Sequence, residues 1–568
     1  MSATGSRAER TARFVASQWR ERPGAVVAAG GLALLTLLAI VPIRPAGPLD
    51  ARTGERLAAG CGARMEFSAA GALVEPLAAP GHVIFGAPDW RKAGASLLTW
   101  TALAGAALVL VFELRRRPRP PSGAHGEGAD RRRSAWRTAA KAILTGLAAG
   151  VVLIVHVAFA AIAHLPGWRL VATDEDTLVC DLQTHTFGSH DGIISARDNL
   201  ILHAARGCDV VAVTEHDDPR GSFEAAKLAD FYRRGMPVVI PGVERRDPGA
   251  GFLLAIGLDE TLEVPWFRDS PRRVEIFVRG VHEAHGGAVV ALGWKLDADG
   301  VRRYVEAGVD GFEVANAGHP DLRDDARRAM LEAHAAEGTA LLSSSDWHGW
   351  GGFWRTWTLV RAPGARRLPR SERARLVTAA LRERGARGGP SLVPVVAGRL
   401  GLPSTPRVVF APFVETARYA MELGPLRVLA WWLWAAAVVA AAEGLRRLTA
   451  CGSSEAGGRF VGFRPSLALL AALLAVLGVG LVTASWHVID GWADWAAAVP
   501  RIEGRSGEPG LVFSFFGDAF PLRWARRGLA LGLATFATAL LVTGLELRRT
   551  HLADRAGPPD TCGPGPDA

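Results

Sequence analysis

Between residues 178 and 349 the chain repeats one pattern: a short apolar run that stops abruptly at His, Asp or Glu. Leu178–Leu182 runs into Gln183, His185, His190 and Asp191. Val210–Thr214 runs into Glu215, His216, Asp217 and Asp218, and Val238–Gly242 into Glu244. Glu313 and Asn316 lie in and just after Gly311–Val314, and Asp346 and His348 follow Ala340–Ser344. Each run has the length of a buried strand. Helix-like stretches separate several of them, at Ser195–Ala205, Phe223–Arg234, Arg272–His285 and Asp321–Glu337. That alternation predicts parallel strands joined by crossover helices, in a barrel or a doubly wound sheet. Polar groups delivered from many strand ends to one face favour the barrel, whose C-terminal mouth gathers them. No Gly-rich phosphate loop follows any of the strands, which gives a nucleotide site of that kind no support.

The residue types suggest a chemistry. Imidazoles and carboxylates in one cluster suit a hydrolytic metal site. His185, His216, Glu244, Asp346 and His348, with Asp191, supply both. Asp217 and Asp218, ahead of Pro219 and Gly221, have the character of turn or cap residues.

With these motifs in view, residues 178–396 resemble the PHP (polymerase and histidinol phosphatase) domain family. The family's D-L-H-x-H-T…S-D-G corresponds to Asp181-Leu-Gln-Thr-His-Thr and Ser189-His-Asp-Gly192. Its T-D-H corresponds to Thr214-Glu-His216, its P-G-x-E to Pro241-Gly-Val-Glu244, and its last motif to Ser344-Ser-Asp-Trp-His-Gly349. Glu313 lies in a matching G-x-E-v-x-N segment. The resemblance implies a distorted, roughly seven-stranded β/α barrel that holds up to three divalent ions and hydrolyses phosphoesters.

Departures from the family pattern reduce the implied ligand set. Gln183 replaces the leading His of the first motif, Phe252 stands where a His often opens the strand after the Glu, and Gly286–Trp294 contains no His. Carried over by position, His185, Glu244 and Asp346 would hold one ion, with Gln183 at best a neutral carbonyl ligand. Asp191, His216 and His348 would hold another, and the third would keep only Glu244 unless His319 compensates. About two sites for Mn, Zn, Fe or Mg are therefore expected. Arg245 and Arg246 are candidate phosphate clamps, because a guanidinium meets phosphate oxygens in pairs. The expected substrate is a phosphorylated small molecule or a lipid head group. The alternative is a degenerate PHP domain that binds a ligand or senses it with little or no catalysis.

Flanking this segment the chain is rich in apolar stretches. Five have no Asp, Glu, Lys or Arg: Gly24–Ile43, Gly94–Phe112, Ala142–Leu165, Pro465–Trp486 and Gly528–Leu545. A bilayer core takes roughly 17–25 apolar residues in a helix. A sixth, Leu423–Leu445, adds Trp431, Trp432 and Trp434 as an interfacial anchor. The expected α/β architecture is a (β/α)7 barrel over 170–396, inserted between three transmembrane helices in 1–169 and three in 397–568. Basic clusters such as Arg115–Arg117, Arg131–Arg133 and Arg446–Arg447 place both termini in the cytoplasm. The chain is then integral to the cytoplasmic membrane, with the barrel outside. The net charge of +9 lies largely beside apolar stretches, so the membrane is the expected partner and nucleic acid is not.

Overall fold

A computed structural model describes residues 23–40, parts of 47–79 and 98–103, residues 168–397 apart from short breaks, and most of 412–437. The apolar runs form strands because aliphatic and β-branched side chains can be buried on both faces of a sheet. The strands are β1 (Pro48–Asp50), β2 (Ala63–Phe67), β3 (Trp168–Ala172), β4 (Thr177–Thr184), β5 (Val210–His216) and β6 (Val238–Asp247). They continue with β7 (Gly251–Ile256), β8 (Ala288–Leu292), β9 (Gly311–Asn316), β10 (Ala340–Ser344), β11 (Thr356–Arg361) and β12 (Ser391–Ala397). β2 pairs with β3 alone, and the other ten form one sheet in the order β1-β12-β11-β4-β5-β6-β7-β8-β9-β10. The helices are α1 (Pro23–Ile40), α2 (Ala196–Ala205), α3 (Arg220–Tyr232), α4 (Arg273–His285), α5 (Ala298–Glu306), α6 (Asp324–Glu337) and α7 (Arg370–Arg382).

The fold departs from the expected barrel. The sheet curls into a half-barrel, and β10 is tied back by side chains instead of a ladder. Thr358 Oγ1 donates to Ser343 O (2.7 Å), and Val395 N donates to Ser343 Oγ (2.9 Å). Past β10, a single bridge joins Trp347 to Thr184. Nor are the strands all parallel. β7 runs antiparallel to β6 and β8, since the short 248–250 link cannot carry the long crossover a parallel pair needs. β11, β12 and β1 also pair antiparallel.

The membrane architecture is corrected as well. Among the described residues no helix is long and apolar enough to cross a membrane. α1 covers most of the expected span Gly24–Ile43, and the residues on either side of it lie outside the described ones. Residues 425–437, inside the expected span Leu423–Leu445, are helical, and 438–445 lie outside the described residues. The other four expected spans lie wholly or largely outside the described residues. Six-span insertion, integral membrane localisation and an external barrel therefore lose their structural basis. In the helix at 425–437, Arg427 pairs with buried Glu75 and lies 4.7 Å over the Phe67 ring of β2, while Val428 and Trp431 pack with Leu35 and Ala39 of α1.

Strand alternation sorts the core into two sides. Leu178, Cys180, Leu182, Ile240, Leu254 and Leu342 fill the concave side together with Val377 and Leu381 of α7. On the convex side, α2 and α3 cover β4 to β6, where Leu200 and Leu228 meet Val211 and Val213. α4, α5 and α6 cover β7 to β10 through Phe277, Tyr304 and Met330.

One irregularity positions the functional residues. In β4, Asp181 lies opposite Val211 but Thr184 lies opposite Val213, so the strand carries one extra residue. Strict alternation from Leu178, Cys180 and Leu182 would turn Gln183 and His185 toward the helices. The bulge shifts the phase and turns both into the concave mouth. Thr184 now faces outward and accepts from Asn199 Nδ2 of α2 (2.9 Å).

Candidate metal centre

Two clusters of polar groups meet at this mouth. The outer one consists of Asp191, His216 and His348. His216 Nε2 is 3.4 Å from Asp191 Oδ1, His348 Nε2 is 3.3 Å from the same oxygen, and the two imidazole nitrogens are 3.4 Å apart. Ligand atoms about 2.0–2.1 Å from a tetrahedral ion lie about 3.3–3.4 Å from one another. The triangle therefore fits one ion, and the 47% exposed Asp191 side chain opens the remaining position to solvent. The His348 tautomer is set by its neighbour. Nδ1 lies 2.9 Å from Asp346 O; a carbonyl can only accept, so Nδ1 carries the proton and Nε2 presents its lone pair.

Without an ion, the same groups act on one another as hydrogen-bonding partners. Burial works against the Asp191 carboxylate, but hydrogen bonds from His216 and His348 outweigh it and hold its pKa well below the usual range. Burial and the neighbouring His185 pull the His216 pKa down. Glu244 and Asp191 more than offset them, leaving it raised.

The inner cluster is His185, Glu244 and Asp346, all buried. His185 Nε2 lies 3.2 Å from Glu244 Oε2 and 3.2 Å from Asp346 Oδ1. Burial disfavours the imidazolium, yet the two carboxylates overcome it and raise the His185 pKa well above normal. Its ring stacks on His348 at 4.1 Å and on His216 at 4.5 Å, so the two clusters share a wall.

Gln183 also reaches the inner carboxylates. Its Nε2 donates to Glu244 Oε2 (2.7 Å) and to Asp346 Oδ1 (3.0 Å). Its Oε1 accepts from Asn316 Nδ2 (3.3 Å) and Ser344 Oγ (3.2 Å). Asn316 Nδ2 donates in turn to Glu313 Oε2 (2.7 Å). Burial raises the Glu313 pKa well above the carboxylate range; the Asn316 hydrogen bond opposes this, and Asp346 and Glu244 reinforce it.

Surrounding groups hold the clusters in place. Ser189 Oγ donates to Glu215 Oε2 (2.5 Å), so it accepts from His185 Nδ1 (3.0 Å) and from His216 N (3.0 Å). Glu215 anchors this serine. Asp181 ties the β4 and β10 ends together. Its Oδ2 is bonded to His203 Nε2 (3.0 Å) and its Oδ1 accepts from Ser345 N (3.0 Å). The turn after β10 places Asp346 in the left-handed region at φ 51°, as Asp217 is at φ 59° after β5. Asp tolerates that conformation better than most residues. Gly349 follows at φ 94°, where an added Cβ would stand 2.7 Å from the Ile194 side chain.

The structure thus gathers all six expected ligand residues into the two clusters. Arg245 and Arg246 part company. Arg245 Nη1 is 3.5 Å from Asp217 Oδ1, whereas Arg246 is exposed and, by strand alternation, on the face of Glu244. His319 lies outside the described residues. Ser189, Asn199 and His203 were not singled out from sequence. The one signal for the last two was their four-residue spacing on a helix, which turns both toward β4.

No protein-family model matches the chain, and no curated protein matches it. Among solved structures, it is similar to one described as a metal-dependent phosphoesterase from Bifidobacterium adolescentis. The identity is 18%, over 30% of this chain and 88% of that one, with a TM-score of 0.25. It is also similar to an amidohydrolase from Chromobacterium violaceum, at 22% identity over 30% of this chain and 90% of that one, with a TM-score of 0.24. At such scores the likeness carries no functional argument, and the side chains of the mouth must supply it.

Proposed function

We propose that the chain is a metal-dependent phosphoesterase of the PHP type, acting on a phosphorylated small molecule or head group. The observation that carries this is the Asp191–His216–His348 triangle, with edges of 3.3 to 3.4 Å and one open side. A divalent ion bound there supplies Lewis acidity toward phosphoryl oxygens and lowers the pKa of water. The chain's own groups orient the ester. Arg246, exposed on the face of Glu244, offers a forked donor to phosphate oxygens. Arg245 is held by Asp217 at the rim. His190, 40% exposed with its Nε2 3.8 Å from Asp191 Oδ2, lines the open side of the triangle.

A second possibility is a binding module without turnover. It is favoured by the Gln183 amide, which already occupies both inner carboxylates. Assay of the zinc-loaded full-length chain on p-nitrophenyl phosphate and bis(p-nitrophenyl) phosphate separates the two. Turnover that disappears on chelation and in His348→Ala is the expected result. An ion-loaded chain that cleaves neither ester is the binding module.

A further inference from the structure

We infer that the Gln183 amide takes the place of a cation in the inner cluster, so that the chain holds one ion, on Asp191, His216 and His348, and none between Glu244 and Asp346. This rests on the metal-dependent reading of the outer triangle but not on any hydrolysis. By distance alone, His185, Glu244 and Asp346 form a ligand set. The difficulty lies in what else converges on their oxygens. Glu244 Oε2 and Asp346 Oδ1, the two atoms His185 Nε2 faces, each accept from Gln183 Nε2, at 2.7 and 3.0 Å. An amide nitrogen donates two hydrogens and has no lone pair for a metal. An ion placed among these oxygens would meet N–H groups pointing at it.

The amide cannot simply turn over to offer its oxygen. Oε1 accepts from Asn316 Nδ2 (3.3 Å), and that nitrogen is itself oriented by Glu313 Oε2 at 2.7 Å. A flipped Gln183 would set its NH₂ against the NH₂ of Asn316. Gln183 and Asn316 are both buried, leaving no bulk water to absorb the mismatch. A histidine at this position would present a lone pair to the same space. Glutamine presents donors, and the paired carboxylates are satisfied without an ion.

The test is a count of ions. The full-length chain, stripped with EDTA, is dialysed against Zn²⁺ and its zinc measured per chain. One ion is expected in the native chain and none in His216→Ala, which removes a ligand from the outer triangle and from the adjoining His190–Asp191–His216 group. Gln183→Glu, the same shape with an acceptor in place of the NH₂, is expected to take up a second. Two ions in the native chain would overturn the role of the amide and leave the metal-dependent function standing. One ion surviving in His216→Ala would do the same, since His216 belongs to the outer triangle and to the neighbouring His190–Asp191–His216 group, and its loss leaves the inner cluster among the described residues. A Gln183→Glu chain that folds and still binds one ion would show that the amide is not what keeps the inner cluster empty. No zinc in the native chain would overturn both the inference and the function beneath it. If Gln183→Glu does not fold, the native and His216→Ala counts decide.

Discussion

The outer and inner clusters use the same residue types within one mouth and end in opposite conditions. In the outer cluster, three candidate ligand atoms converge on one open point. Asp346 O fixes the His348 proton on Nδ1, and Nε2 faces Asp191 and His216 beside an open edge. In the inner cluster, hydrogens converge. Gln183 donates to Glu244 and Asp346, and the pocket is closed. The inventory of His, Asp and Glu is therefore a poor guide to how many ions such a mouth holds. The direction of each polar atom decides, and that direction is set by neighbours such as Asn316 and Asp346 O.

The most damaging way to break the comparison is to remove what both clusters share. Asp181 bonds His203 and Ser345 N from a fully enclosed position, and Ser345 precedes Asp346 and His348. Asp181→Ala deletes two buried hydrogen bonds to a carboxylate and strands their partners, at a cost of about 3–5 kcal/mol. Urea unfolding should show that loss, and zinc binding should weaken along with it. Unchanged stability would mean that the bridge between β4 and the turn after β10 does not hold the mouth together.

A smaller effect should separate the clusters. Ser189 accepts from His216 N and belongs to the loop that carries Asp191, while its contact with His185 serves the inner side. Groups behind metal ligands typically contribute about 10–100-fold to affinity. Ser189→Ala should lower zinc affinity within that range, read by competition with a chromophoric chelator. Affinity equal to that of the native chain would detach the Glu215–Ser189 pair from the outer site.

How much of this was legible in the sequence follows from the physics of each part. Apolar runs ending in His, Asp or Glu marked β4, β5, β6, β9 and β10, because burial on both faces imposes that composition. The phase of β4 was not legible. One extra residue between Asp181 and Thr184 reverses which side chains face inward, and a bulge leaves no compositional trace. The same holds for Gln183. Its substitution for His was visible, and a carbonyl ligand seemed the natural outcome. The opposite end of the amide faces the carboxylates, because Asn316, 133 residues away in sequence, takes the oxygen. The membrane spans rested on apolar composition, segment length and flanking Trp and Arg, and among the described residues no helix is long and apolar enough to cross a membrane.

The gentlest perturbation tests whether the inner pocket rejects further negative charge. Glu313 is buried behind Gln183, and burial raises its pKa well above the carboxylate range, with Asp346 and Glu244 adding to the effect and Asn316 opposing it. The folded chain therefore keeps a proton that an unfolded glutamate releases near pH 4.3. Between the unfolded and folded pKa values the native state binds more protons than the unfolded one, so stability falls as pH rises through that window. Glu313→Gln removes the titrating group and keeps the shape. Its carbonyl accepts from Asn316 Nδ2, and its NH₂ faces Ser344 Oγ where Glu313 now makes its second contact. In EDTA-treated protein the variant should match the native chain near the unfolded pKa and gain on it steadily toward neutral pH, by urea unfolding at successive pH values. Parallel curves would mean that Glu313 is already ionised in the folded chain. The inner pocket would then tolerate a third carboxylate charge, and the contrast with the outer triangle would rest on Gln183 alone.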